Sequence, residues 1–269
     1  MRPYNRISVI VGPIFLVLLL SFLVRLPSRT IDLYLFGELR QIVFSGPWLL
    51  ALLLAGAIYF GNNDLVRAHP TARDAGLGYT LTFWPLPGLL TFLSIPFLHT
   101  FPNPVLWGVG ALSLALLLAA ILIAQHNAIA PGMSFYRAAR WFLNLLAYAL
   151  AFALYFSLQQ LKALLPVFVI AVVFVSGALS LEILRRGRSE AGRTWLYAAL
   201  VALIIGEMAW ALTYWALDGL LAGLYLFWPF YLLTSIIQQH LGGQITRAVM
   251  IEFLALGVLG YGLLWYYTP

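Results

Sequence analysis

The chain has no cysteine and a single lysine, Lys162, against fourteen arginines. Without cysteine there is no disulfide, no thiolate nucleophile and no thiolate-ligated metal. Charge of either sign is scarce, at 9 % of 269 residues, where soluble domains carry about 25 %. Histidine is scarce as well, with four (His69, His99, His126 and His240). Neither a Glu-x-x-His nor a His-x-x-x-His spacing occurs, so no helix face offers two metal ligands one turn apart. A glycine-rich phosphate loop and a serine elbow are also missing. The sequence is therefore expected to carry no catalytic group, no metal and no cofactor.

What is present is apolar surface: 63 % of the residues are hydrophobic and the mean hydropathy is +0.94. A water-soluble globule of this length must present a solvated exterior and could not hide so much apolar area. A bilayer removes that constraint, and stretches of about 20 apolar residues become the unit of organisation. The pattern predicts an all-α, polytopic transmembrane bundle, a single domain over 1–269 with nine spans. They are Ile7 to Val24, Ile42 to Phe60, Tyr79 to Leu98, Val105 to Ala124, Trp141 to Leu158, Leu164 to Leu184, Trp195 to Leu217, Leu220 to Ile237 and Ala248 to Tyr267. Pro85, Pro87 and Pro96 must kink or break the third of these. The first span follows Arg2 and Arg6 as a signal peptide would, but no small-x-small cleavage site follows it, so it is expected to be retained.

The basic residues orient the bundle. Alternating loops collect Arg2, Arg6, Arg67, Arg73, Arg137, Arg140, Arg185, Arg186, Arg188, Arg193 and Arg247 on one side, and Arg25, Arg29, Arg40 and Lys162 on the other. Eleven against four places the N-terminus in the cytoplasm and the C-terminus outside, by the tendency of basic loops to stay inside. Basic clusters in short loops do not form the continuous basic face that nucleic acid needs, so nucleic acid is excluded as a partner. The expected partners are membrane lipids and other membrane subunits, and the expected location is a bacterial cytoplasmic membrane.

Between the first two spans, Thr30 to Arg40 places Ile31, Leu35 and Leu39 four apart, which predicts a short amphipathic helix on the outer interface near 30–41. Gly61-Asn62-Asn63-Asp64 suits a helix C-terminus, and Asp218-Gly219 a tight outer turn. Ala111, Ala115 and Ala119, then Ala198, Ala202 and Gly206, form small-residue stripes that let helices approach closely in lipid. Gly257, Gly260 and Gly262 crowd the last span.

Polar residues inside spans are the remaining clues. Glu207 falls about twelve residues into the seventh span, roughly 18 Å from its cytoplasmic end. An ionisable group at that depth is costly and is a functional candidate by default. It is expected to face the bundle interior, neutral, donating to Tyr214 or to carbonyls freed by Pro85, Pro87 or Pro229; it either fastens its helix to a neighbour or takes a ligand or proton. A second group lies near the cytoplasmic leaflet: Asn144, Glu182 and Glu252, with Gln238, Gln239 and His240 at the end of the eighth span. Adjacent helices would join these into one polar layer able to hold a headgroup or small polar substrate. Alternatively, Glu182 pairs with Arg186 one turn on and the others face headgroups.

The stretch from Ser180-Leu181-Glu182-Ile183-Leu184-Arg185-Arg186 through Gly206-Glu207-Met208-Ala209-Trp210 resembles an uncharacterised family of multi-pass membrane proteins from Chloroflexota. The resembling stretch spans 31 of the 269 residues, and it implies no activity. Asp32 and Glu38, with Arg25, Arg29 and Arg40 nearby, are similar in placement to the acidic residue that polyprenyl-phosphate-dependent sugar transferases carry after their first span. Three readings stay open: a non-enzymatic scaffold or accessory subunit, a transporter or binding protein for a lipid or apolar molecule, and a lipid-modifying enzyme.

Overall fold

In a computed structural model, the described residues are 3–23, 29–35, 38–44, 46–130, 135–160, 165–185, 191–215, 217–243 and 246–268, with backbone alone for 3–5, 29–35, 38–44 and 71. The helices are α1 (Pro3–Leu20), α2 (Gly46–Arg67), α3 (Leu77–Thr80), α4 (Pro85–Leu98), α5 (Pro104–Asn127), α6 (Tyr136–Gln160), α7 (Leu165–Leu184), α8 (Ala191–Leu212), α9 (Gly219–Leu241) and α10 (Arg247–Tyr266). Two strands, β1 (Arg29–Leu35) and β2 (Glu38–Phe44), stand between α1 and α2.

Among the described residues, seven helices are long and apolar enough to cross a membrane: α2 and α5 to α10. An eighth candidate is a bent pair, Leu77–Phe83 with Pro85–Leu98, which turns by 46°. The bend falls where Pro85 and Pro87 remove two backbone donors, as the sequence required. The apolar stretch of α1, Arg6–Leu20, is shorter than the others.

The segment near 30–41 is not the expected amphipathic helix. β1 and β2 pair antiparallel, from Arg29 opposite Phe44 to Leu35 opposite Glu38. In the sequence, two runs rich in Ile, Val, Leu and Tyr separated by only two residues, one of them glycine, are a hairpin signal. The four-residue spacing of Ile31, Leu35 and Leu39 matched a helix by coincidence; the alternation of Ile31, Leu33 and Leu35 with Thr30, Asp32 and Tyr34 is the pattern that governs.

The chain divides into two compact units, Met1–Arg140 and Trp141–Pro269. In the first, α1 packs on α5 and α2, and α2 packs on α4. The core is built from Ile14 and Leu18 of α1, Leu54 and Ile58 of α2, Leu98 of α4 and Trp107 and Leu118 of α5. Helix α2 does not end at Gly61: it runs on to Arg67. A Cβ on Gly61 would lie 2.9 Å from Ile10 Cγ1, so this glycine serves the approach of α1 and not a helix cap.

In the second unit, α7 packs along α8, and α9 packs on α7, α8 and α10. The small-residue stripe of α8 meets α7: an added Cβ on Gly206 would collide with Val173, and one on Gly177 would sit 3.2 Å from Ala202 Cβ. Gly260 of α10 similarly receives the Trp228 indole of α9. Asp218 is the N-cap residue of α9, whose first residue is Gly219. Only Gly260 of α10 is buried, and Ile251, Leu254 and Val258 are each about two-thirds exposed.

Candidate functional site

The most developed polar arrangement lies in the first unit, around the break before α4. Pro87 has no N–H, so the carbonyl of Phe83 four residues earlier lacks its helical donor. Two buried amides supply replacements: Asn62 Nδ2 donates to Phe83 O at 2.8 Å, and Gln125 Nε2 donates to the same oxygen at 2.8 Å. Asn62 Nδ2 also donates to Gln125 Oε1 at 3.2 Å, closing a triangle across α2, the break and α5. Trp84 extends it, its indole Nε1 donating to Ala55 O at 2.8 Å. The freed carbonyls that the prolines imply therefore exist, but they bond Asn62 and Gln125 and not Glu207.

Beside this triangle, the rings of His69 and His126 stand edge to face with centroids 5.3 Å apart. Burial lowers the His69 pKa from its usual 6.5, which keeps the imidazole neutral at pH 7. No group of three or more His, Asp or Glu able to hold a metal occurs among the described residues.

A groove of about 730 Å³ also lies in the first unit, between α1 and α2, lined along α1 from Arg6 to Val17 and along α2 from Leu54 to Leu65. Its walls are apolar except at one end, where Arg6 and Asp64 stand.

In the second unit the expected polar layer forms only in part. Tyr148 of α6 places its hydroxyl 3.1 Å from Thr234 Oγ1 and 3.3 Å from Ser235 Oγ of α9. One turn further along each antiparallel helix come Asn144 and Gln238. Gln238 Nε2 donates to Ile183 O of α7 at 2.8 Å, which brings α9 against the Glu182 turn. Glu182 pairs at 2.9 Å with Arg185, both buried; Arg186, the expected partner, lies outside the described residues, as do Arg25, Lys162, Arg188 and the side chains of Arg29, Asp32, Glu38 and Arg40. Gln239 is half-buried, whereas Glu252 and His240 are exposed. His240 stacks edge-on to Tyr197, 5.9 Å away. A second interhelical bond, between Tyr155 and Ser176 hydroxyls at 2.7 Å, ties α6 to α7.

Glu207 is not in the bundle interior. It lies on the exposed face of α8, with Leu200, Leu203, Ile204 and Trp210. Its depth also changes, because α8 begins at Ala191 and ends at Leu212; Glu207 is about 24 Å from the start and 8 Å from the end at ~1.5 Å per residue. The helix stops there because three-residue turns take over, with Thr213, Tyr214 and Trp215 N–H donating to the carbonyls of Trp210, Ala211 and Leu212. Tyr214 does not serve Glu207: its hydroxyl accepts from Trp210 Nε1 at 3.2 Å. Among the described residues Glu207 has no hydrogen-bond or ion-pair partner.

Asn62 and Gln125 are the residues that the sequence reading missed. The signal was available: an amide in an apolar helix must find a partner, and prolines at 85 and 87 leave carbonyls that need donors.

Helices of this length and hydropathy are those from which multi-pass membrane proteins are built. The chain belongs to the DUF5656 family of proteins of unknown function, whose family model matches residues 26–267. No curated protein and no solved structure matches it.

Proposed function

We propose that this protein is a non-enzymatic scaffold or accessory subunit of a membrane complex, held in a bacterial cytoplasmic membrane by nine spans with its N-terminus inside and C-terminus outside. The ninth and eighth spans are α1 and the bent α3–α4 pair, added to the seven long helices. Eleven basic residues against four support the orientation. The observation that carries the subunit reading is Glu207, an ionisable side chain on an outward apolar face, inside the ends of its helix and unpaired among the described residues. A carboxyl so placed is costly against lipid and is relieved by a partner helix that brings a hydrogen-bond donor or cation to the same depth. Buried hydroxyls such as those of Thr91, Ser176 and Thr234, by contrast, donate to carbonyls of the preceding turn, and the buried amides Asn62 and Gln125 serve Phe83 O, as a structural protein requires.

The test is native electrophoresis of mildly solubilised source membranes. The parent chain is expected in a band well above its own 29.9 kDa plus detergent, and Glu207→Leu in a band at the size of the lone chain. A parent chain that migrates alone, or a Glu207→Leu chain that stays in the larger band, overturns the reading.

A further inference from the structure

We propose that the groove between α1 and α2 is a binding site for one phospholipid of the phosphoethanolamine class. The argument has three parts, all within the first unit. First, the groove is sized for an acyl chain. Its lining along α1 spans twelve residues, from Arg6 to Val17, a rise of about 16 Å, which is the depth of one leaflet of a ~30 Å hydrocarbon layer. Its volume of about 730 Å³ falls in the range of ~300–1,000 Å³ typical of small-molecule sites.

Second, its shape is built by particular residues. Ala57 and Gly61 on α2 present almost no side chain to it, and Pro13 and Val17 floor it from α1. A larger residue at 57 would narrow the groove, whereas one at 61 would press on Ile10, whose Cγ1 lies 2.9 Å from where its Cβ would stand.

Third, its polar end is doubly charged. Arg6 near the start of α1 and Asp64 near the end of α2 both line it, both are exposed, and among the described residues neither side chain has an ion-pair or hydrogen-bond partner. A cation and an anion at one mouth match a zwitterion: the phosphate meets the Arg6 guanidinium, and the primary ammonium meets the Asp64 carboxylate. An anionic glycerol headgroup can offer Asp64 a hydroxyl but no positive charge, so it meets Arg6 fully and Asp64 only weakly. A choline headgroup, having no N–H, could not hydrogen-bond Asp64. The site does not depend on the partner inferred at Glu207.

The full chain, purified in detergent and stripped of lipid, is titrated with dioleoyl phosphatidylethanolamine, phosphatidylglycerol and phosphatidylcholine. Native mass spectrometry reads stoichiometry and thermal unfolding reads stabilisation. The expected result is one ethanolamine lipid retained per chain, in preference to the other two. Arg6→Gln, a change at an exposed position, weakens binding of all three about two- to fivefold, as loss of a solvent-exposed ion pair implies. Asp64→Asn removes the preference for ethanolamine over glycerol while keeping the acyl chain bound. Ala57→Trp abolishes retention in a chain whose unfolding without lipid is unchanged; if that variant does not fold, Asp64→Asn still decides. Equal binding of all three lipids to the parent, a preference that survives Asp64→Asn, or several lipids lost together as an unselective shell overturns the proposal.

Discussion

Replacing Asn62 by Leu tests whether the amide triangle holds the α3–α4 break in place. The substitution deletes two hydrogen bonds, to Phe83 O at 2.8 Å and to Gln125 Oε1 at 3.2 Å. Hydrogen bonds between helices in lipid average about 0.6 kcal/mol and reach ~1.7. The larger cost is Gln125 Oε1, a buried acceptor that loses a donor, at about 1–3 kcal/mol. Phe83 O keeps Gln125, so the break survives in weakened form, and the expected loss is about 2–3 kcal/mol. Gln125→Leu removes its own bond to Phe83 O and the weaker one it accepts from Asn62, but leaves Asn62 donating to Phe83 O, and should cost about 1–2 kcal/mol. The double variant leaves only Phe83 O short, with no side-chain amide stranded, so it should cost less than the sum of the singles by about 1 kcal/mol. Pro87→Ala in the Asn62→Leu background restores a backbone N–H at the position that serves Phe83 O in a regular helix, and should recover part of the loss. Equilibrium unfolding in mixed detergent micelles gives these differences. An Asn62→Leu chain as stable as the parent within ~0.5 kcal/mol, or a double variant equal to the sum, would refute the reasoning.

Other expectations follow from single features. Gly206→Leu drives a side chain into Val173 across the α7–α8 contact and should destabilise the second unit by about 1–3 kcal/mol, whereas Gly262→Leu, which meets nothing within 4 Å, should be near neutral; equal effects on thermal unfolding contradict the packing. Burial lowers the His69 pKa below 6.5, so the unfolded chain binds the proton first: the stabilisation is complete above about pH 6.5 and declines as pH falls below it toward the folded value. Unfolding measured from pH 7.5 to 5 should show that decline, and His69→Gln should flatten it; an unchanged slope discounts His69. Because the chain has no cysteine, single cysteines at Gly187 and Thr268 can report topology in intact cells. An impermeant thiol reagent should label the Thr268 site and not the Gly187 site, and the reverse pattern overturns the orientation.

The apolar runs were readable because a helix in lipid must be long and apolar from end to end, a requirement that leaves its mark on every span. The break at Pro85 and Pro87 was readable for the same kind of reason, since a missing N–H is a property of the residue and not of its surroundings. Partners were not readable in this way. Asn62 and Gln125 are 63 residues apart, and nothing local says that they meet at Phe83. Glu207 was misplaced because helical spacing says which residues share a face but not whether that face looks inward. Its depth was misjudged because α8 starts at Ala191, before Trp195, and because Thr213 to Trp215 continue the hydropathy of α8 while their backbone has already turned. The hairpin was misread because seven-residue strands are short enough for a helical spacing to fit by chance.

The triangle around Phe83 has a consequence for the order in which the protein is made. Asn62 precedes Phe83 by 21 residues, so one donor is already in place when the break leaves the ribosome. Gln125 follows by 42 residues, an interval of roughly 2–8 s at ~5–20 residues per second of synthesis. For that interval the bent segment is secured by a single amide, on the side of α2. The arrival of α5 then supplies the second donor and fixes the bend from both sides, so the first half of the chain reaches its final form only when its last full helix has been inserted.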